Sequence, residues 1–106
     1  MSEYIVVLVT ASSVKEAETI AEDLVRSRLV ACANLINGIR SIYRWKNNVQ
    51  KDDEVLLVMK GRSSGFGRIE KRVRELHSYD VPEVVALPVL KGSPPYLEWL
   101  SAETDE

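Results

Sequence analysis

The sequence predicts an α+β fold with the element order β-α-β-β-α-β and a short helix at the C-terminal end. Three observations carry this. Ile5-Val6-Val7-Leu8-Val9 is an uninterrupted, β-branched-rich run, which suits a strand in the middle of a sheet. Two segments, one starting at Ser13 and one after Ser63, show apolar residues at helical spacing with charged residues between them. The remaining apolar stretches alternate or run as strands, and the last contains Pro88. A proline has no ladder donor, which places that strand at a sheet edge.

Thr10-Ala11-Ser12 is read as the turn after the first strand. Ser13 and Glu16 have capping-box spacing, so the first helix is predicted to start at Ser13. Val14, Ala17, Ile20, Ala21, Leu24, Val25 and Leu29 form its apolar face, opposite Lys15, Glu18, Glu22, Asp23 and Arg26. Val30 to Ile36 reads as the second strand. Asn37-Gly38 fits either a hairpin turn or a bulge inside one longer strand, because Ile39, Ser41, Tyr43 and Trp45 resume the strand pattern at once. Lys46-Asn47-Asn48 is the next turn, and Glu54 to Lys60 the third strand, with Val55, Leu57 and Met59 alternating against Glu54, Leu56, Val58 and Lys60. Gly61-Arg62 is predicted to break that strand, and Ser63 or Ser64 to cap a helix striped by Phe66, Ile69, Val73 and Leu76. Arg68 to Glu75 supply that helix's solvated charges. His77 to Pro82 ends the helix, Glu83 to Leu90 is the fourth strand, and Ser93-Pro94-Pro95 opens the terminal helix. Ala102 to Glu106 is expected to fray. Two interleaved β-α-β units of this kind make the ferredoxin-like sandwich, helices on one face of an antiparallel sheet.

The length, 106 residues, suits a single domain over 1–106 with one core. An apolar fraction of 45% and a charged fraction of 28% argue against disorder. The net charge of -2 leaves no basic footprint for nucleic acid or an anionic membrane. With one cysteine, Cys32, neither an internal disulfide nor a Cys-x-x-Cys zinc framework can form. A lone thiol suits a reducing compartment, and the run Ile5 to Val9 is too short for a signal-peptide core or membrane span. A cytoplasmic protein is therefore expected.

No constellation for catalysis assembles. Gly61, Gly65 and Gly67 match neither phosphate-loop spacing, which leaves a strand-to-helix turn. A Cys32/His77 nucleophile pair is conceivable, but Cys32 lies between Ala31 and Ala33 in an apolar strand, where a cysteine serves packing. His77 at the helix end can donate to unpaired carbonyls there; its sharper reading is a metal ligand, with Glu83 or Asp80 supplied by the following turn. Tyr43 and Trp45 share one face of the second strand and need a cover that this short chain does not obviously provide.

Six stretches in order resemble the CutA divalent-cation-tolerance family over nearly the whole chain. After Thr10 these are Leu29 to Ile36 (LVACANLI), Gly38 to Trp45 (GIRSIYRW), Glu54 to Lys60, His77 to Glu83 (HSYDVPE) and Tyr96 to Trp99 (YLEW). The resemblance implies a ferredoxin-like subunit in a tight homotrimer built like the PII signalling trimers, and the charge balance above leaves no nucleic-acid or membrane partner expected. It makes Asn37-Gly38 a bend within one long strand. It implies a non-enzymatic role in tolerance of copper or other divalent cations, with Cu²⁺ or another divalent ion weakly bound. Where some members carry a first-strand cysteine proposed to hold copper, this chain has Val9, so a site using that thiol cannot exist here. What carries over is His77 with Glu83, a nitrogen and oxygen pair that favours Cu²⁺ in the Irving–Williams order. The alternative is a PII-like sensor of a small molecule or nucleotide, using clefts between subunits lined by Tyr43, Trp45, Lys60 and Tyr79.

Overall fold

In a computed structural model, which describes residues 2–105, the chain forms β1 (Tyr4–Ala11), α1 (Val14–Arg26), β2 (Val30–Trp45), β3 (Asn48–Arg62), a 3₁₀ turn at Ser63–Gly65, α2 (Phe66–Leu76), β4 (Val84–Pro88) and α3 (Pro94–Ala102). The sheet order is β2-β3-β1-β4 and every neighbouring pair is antiparallel. This is the predicted ferredoxin-like topology, with β1 central and the proline-bearing β4 paired only to β1, at an edge.

The core lies between the sheet and the two helices. Alternation sends Ile5, Val7, Val9 and Ala11 of β1 and Val55, Leu57 and Met59 of β3 to the helical side. There they meet Ala17, Ile20, Ala21 and Leu24 of α1 and Ile69 and Val73 of α2. Each buried aliphatic side chain stabilises by about 1.5–3 kcal/mol over its exposed state. Val14 and Val25, predicted for the same helical face, are each 40% exposed and lie at its margins. Asp23 and Arg72, predicted to be solvated, instead pair across the two helices with both contacts at or below 2.9 Å. The Arg72 guanidinium holds the Asp23 carboxyl below its usual range.

The strands are longer than the sequence pattern suggests. β1 runs on through Thr10 and Ala11, the predicted turn. β2 is one strand, bent at a register shift between Ile36 and Ile39, where Gly38 takes a φ of 75°. Lys46 and Asn47, at φ 50° and 67°, form a two-residue turn whose twist matches the flanking strands, so β3 already begins at Asn48 rather than Glu54. Nor does Gly61 break β3. It pairs with Ile5, and a Cβ there would stand 3.0 Å from the Leu29 carbonyl oxygen. The missing side chain lets the start of β2 pass close by. β1 pairs with β3 only as far as Ala11 and Val55, so Ile39–Trp45 and Asn48–Glu54 project as a two-stranded arm.

Elements at the ends also differ from expectation. Ser63 and Ser64 sit in the 3₁₀ turn, and α2 starts after Gly65 with no side-chain cap. β4 is confined to Val84–Pro88 rather than running from Glu83 to Leu90. The tail is docked, not frayed: the Asp105 amide donates to the Arg28 carbonyl at 3.0 Å, and the buried Thr104 accepts from Arg62 at 3.0 Å. Glu106, predicted to fray with it, lies outside the described residues.

Ser13 caps α1 as predicted, accepting from the Glu16 amide at 3.1 Å. Glu16 does not complete the box on Ser13. One oxygen accepts from the Ser12 amide and hydroxyl, both at 3.0 Å, and the other from the Ser78 amide at 2.8 Å. Burial pushes this carboxyl up, but the hydrogen bonds from Ser12 and Ser78 outweigh it and hold it at about 2, against 4.5 when free. A depressed carboxyl stabilises the fold above its unfolded value and ceases to do so as the pH falls through its folded one. Glu16→Gln is expected to cost about 1–2 kcal/mol near neutrality, allowing for the partial exposure of the site, with the deficit shrinking between pH 4.5 and 2. Urea unfolding of both proteins across that range checks it; a deficit independent of pH would contradict the assignment.

Candidate functional site

The face of the sheet away from the helices is organised in cross-strand rows. Leu87, Val6, Lys60 and Cys32 make one row; Val85, Leu8, Val58 and Asn34 the next; Thr10, Leu56 and Ile36 a third. Past these apolar rows the same face continues along the arm as Glu54 opposite Ile39, Asp52 opposite Ser41, and Gln50 opposite Tyr43. The segment from His77 to Glu83 returns beside the root of the arm. Between them lies an open cleft of about 650 Å³, lined by Thr10, Ser41, Ile42, Tyr43, Trp45, Glu54 and residues Tyr79 to Glu83.

Glu54 is the deep element, only 7% exposed, and it accepts from the Tyr79 hydroxyl at 2.8 Å. Tyr43 donates its hydroxyl to Asp52. Both phenols thereby keep their protons: burial, then the bond to Glu54, pushes Tyr79 up, and the bond to Asp52 pushes Tyr43 up. Each ring is tethered at its outer end by a carboxylate, so the two rings stand as fixed walls. Asp80 and Glu83 are exposed at the rim.

His77 holds the loop in place. Its Nε2 lies 2.7 Å from the Thr10 carbonyl, and the Tyr79 amide donates to Nδ1 at 3.1 Å. A carbonyl only accepts and an amide N–H only donates, so Nε2 carries the proton and Nδ1 offers the lone pair. The ring is buried, 9% exposed, and stacks at a tilt on Tyr79, centroids 4.6 Å apart. Both nitrogens are therefore engaged, neither with the helix-end carbonyls that the sequence suggested. The expected pairing of His77 with Glu83 around a metal ion does not fit this arrangement, because the one lone pair is already taken. Among the described residues no three His, Cys, Asp or Glu side chains gather as a metal-binding group.

Of the residues predicted to line a cleft, Tyr43, Trp45 and Tyr79 do so together, joined by Glu83. Lys60 lies beyond Leu56 and Val58 along β3, donating to Asn34. Cys32 is half-exposed rather than packed, on the open face, with its sulfur 3.7 Å from the Tyr96 hydroxyl and His77 far along the fold. Glu54 and Asp52 were not singled out by sequence. The alternation of β3 already put Glu54 on the face of Leu56 and Val58, and a carboxylate ending an apolar row is the signal that could have found it.

Comparison with known proteins bears on this arrangement. Residues 5–103 match the family model of the CutA1 divalent ion tolerance protein. A "Divalent-cation tolerance protein CutA" from Thermus thermophilus is 48% identical over 99 residues, 93% of this chain and 96% of that protein. "Protein CutA, chloroplastic" from Arabidopsis thaliana is 44% identical over 94% of this chain, which spans only 55% of its length. The crystal structure of CutA1 from Oryza sativa superposes with a TM-score of 0.96 at 41% identity, covering 99% of this chain and 96% of that one.

The hydrogen bonds of His77 give a direct expectation. His77→Ala leaves the Thr10 carbonyl and the Tyr79 amide without their partner and is expected to lower stability by about 2–3 kcal/mol. Because the ring has no free lone pair, Cu²⁺ binding should persist at a temperature where the variant stays folded, weakened only as far as the loop carrying Asp80 and Glu83 loosens. Thermal unfolding with calorimetric titration checks both; lost Cu²⁺ binding in a folded variant would return the imidazole to the ligand role.

Proposed function

The chain belongs to the CutA1 divalent ion tolerance protein family, and on that footing we propose that it is the subunit of a homotrimeric, non-enzymatic divalent-cation-tolerance protein that binds copper or other divalent ions weakly at the cleft. The observation that carries this reading is the charge of the cleft. Glu54, Asp80 and Glu83 line it, and among the described residues no lysine, arginine or histidine does. Such a site attracts cations and repels anions. His77 is left out of the ligand set for the reason given above. Glu83 and Asp80 remain as rim oxygens, which water or a neighbouring subunit would supplement; two such donors hold a divalent ion loosely, with Cu²⁺ highest among the first-row ions.

Two features support assembly from copies of this chain. Val6, Leu8, Leu56 and Val58 are only half-buried, and Ile36, Val85 and Leu87 are 45% exposed or more, so beyond the end that α3 reaches at Tyr4, Cys32 and Arg62 the open sheet face keeps an exposed apolar surface. The arm also leaves one edge of β2 unpaired, and a lone two-stranded ribbon is marginal by itself. A closed ring of neighbours answers both needs, and the family resemblance supplies the number three. A second reading, a PII-like sensor of small molecules in inter-subunit clefts, is favoured by the aromatic walls of Tyr43, Trp45 and Tyr79. No helix among the described residues is long and apolar enough to cross a membrane. The single free thiol supports a reducing, cytoplasmic setting.

Sedimentation equilibrium is expected to give about three times the 11.9 kDa chain mass; a single-chain mass would end the trimer. Calorimetric titration with Cu²⁺ should show weak binding, reduced about tenfold (~1.4 kcal/mol) in the double variant Asp80→Asn, Glu83→Gln. Equal affinity in the variant would move the metal away from this cleft.

A further inference from the structure

We propose that the inner part of the cleft is a recognition site for an organic ammonium cation, held between Tyr43, Trp45 and Tyr79 and neutralised by Glu54. This rests on the reading of the cleft as the binding site and names the chemistry of a ligand class for it. The argument starts from Glu54. A carboxylate only 7% exposed is costly unless a cation or several donors compensate it. Here, among the described residues, the single side-chain donor is the Tyr79 hydroxyl, on one oxygen. Among the described residues no lysine, arginine or histidine pairs with it. The remaining oxygen is not a sealed polar atom without a partner, since no buried side-chain oxygen of that kind occurs among the described residues, and Glu54 is one of the residues that line the cleft. The site therefore presents a deep negative charge and lacks the positive one.

The walls select the kind of cation. Tyr43 and Trp45 lie on one face of the arm, and Tyr79 stands across from them on the returning loop. Their ring faces carry the negative end of the aromatic quadrupole and attract a cation within about 6 Å, more strongly when water is excluded. Hydrogen bonds from the two phenols to Asp52 and Glu54 use the hydroxyls up, which leaves ring faces rather than hydroxyls to the occupant. A small metal ion gains little from such walls, and the carboxylates do not converge as a three-ligand group. An ammonium with methyl or methylene substituents matches both the apolar walls and the charge. The volume, about 650 Å³, falls in the ordinary range for small-molecule sites.

The same inventory weighs against a nucleotide. A triphosphate needs cationic side chains or a cradle of backbone amides. Strand alternation turns Arg40, Arg44 and Lys51 to the other face of the arm, and Lys60 lies among the apolar rows bound to Asn34. Asp80 and Glu83 would repel the phosphates at the rim.

The test uses the whole chain in its assembled state, with tetramethylammonium, ATP and Cu²⁺ as separate probes read by calorimetry and tryptophan fluorescence. Tetramethylammonium is expected to bind with a change in emission, ATP not to bind, and Glu54→Gln and Trp45→Leu each to weaken the ammonium at least fivefold. Should Glu54→Gln fail to fold, Trp45→Leu, on the exposed arm, decides alone. ATP binding in place of the ammonium overturns the inference and leaves the cleft as a binding site. Ammonium binding insensitive to both substitutions also overturns it, by placing the cation elsewhere. Cu²⁺ binding without any ammonium binding overturns it while sparing the cation-tolerance reading, whereas ammonium binding without Cu²⁺ supports it and removes the metal from the cleft.

Discussion

Two helices can cover only one face of a four-stranded sheet, and most of what is distinctive in this molecule follows from that constraint. β1 is apolar at nearly every position, so both of its faces want cover. The helical side receives it and forms the core. The other side keeps Val6 and Leu8 half-buried, flanked by the exposed Val85 and Leu87 of β4. α3 reaches that side only at one end, through Tyr4, Cys32 and Arg62, so the sheet is stable as a subunit but its second face is only partly covered. The arm extends the same open face past the end of β1, and there the side chains change from aliphatic to aromatic and acidic. The functional reading therefore depends on the sheet geometry: the cleft is what the open face becomes once the core no longer lies behind it.

The loop that forms the far wall is fixed by polar bonds rather than by apolar packing. His77 reaches back to the Thr10 carbonyl, Ser78 is held by Glu16, and Tyr79 is held by His77 at its amide and by Glu54 at its hydroxyl. These contacts join the end of β1, the start of α1, the end of α2 and the root of the arm. A loop held this way stays in position without burying much of itself, which leaves Asp80 and Glu83 open to water at the rim.

Most of the fold could be read from sequence because its determinants are local. The runs and alternations of β1 and β3, the stripes of α1 and α2, and Pro88 at an edge are properties of neighbouring residues. What the pattern did not reveal depends on distant ones. The residues Asn48 to Asp53, polar but for Val49, look like a loop until Ile39 to Trp45 are laid beside them, since a ribbon with two solvated faces shows no burial alternation. Gly61 looks like a terminator until the Leu29 carbonyl is seen above it. The acidic tail looks free until Arg28 and Arg62 are found holding it. For the site, Tyr43 and Trp45 were legible as residues in need of a cover, and Tyr79 only as a cleft residue of the PII-like alternative. The role of His77 was not, because a histidine at a helix end has the same sequence signature whether its ring faces a metal or a carbonyl. Only the positions of Thr10 and the Tyr79 amide separate the two.

The turn at Lys46 and Asn47 has a consequence for the order in which the molecule forms. β2 and β3 are joined by two residues, so their pairing closes the shortest loop available to any strands of this sheet. β1 must wait for β3 across all of α1 and the hairpin, and β4 for β1 across nearly the whole chain. Loop-closure entropy then favours early zippering of the hairpin and late arrival of β4. The arm, with Ile42, Tyr43, Trp45 and Val49 exposed, belongs to the part that zips first. A newly made chain thus displays its stickiest ribbon before its own sheet is closed, and the crowding of such chains during synthesis becomes a variable that sets how many of them reach the finished structure.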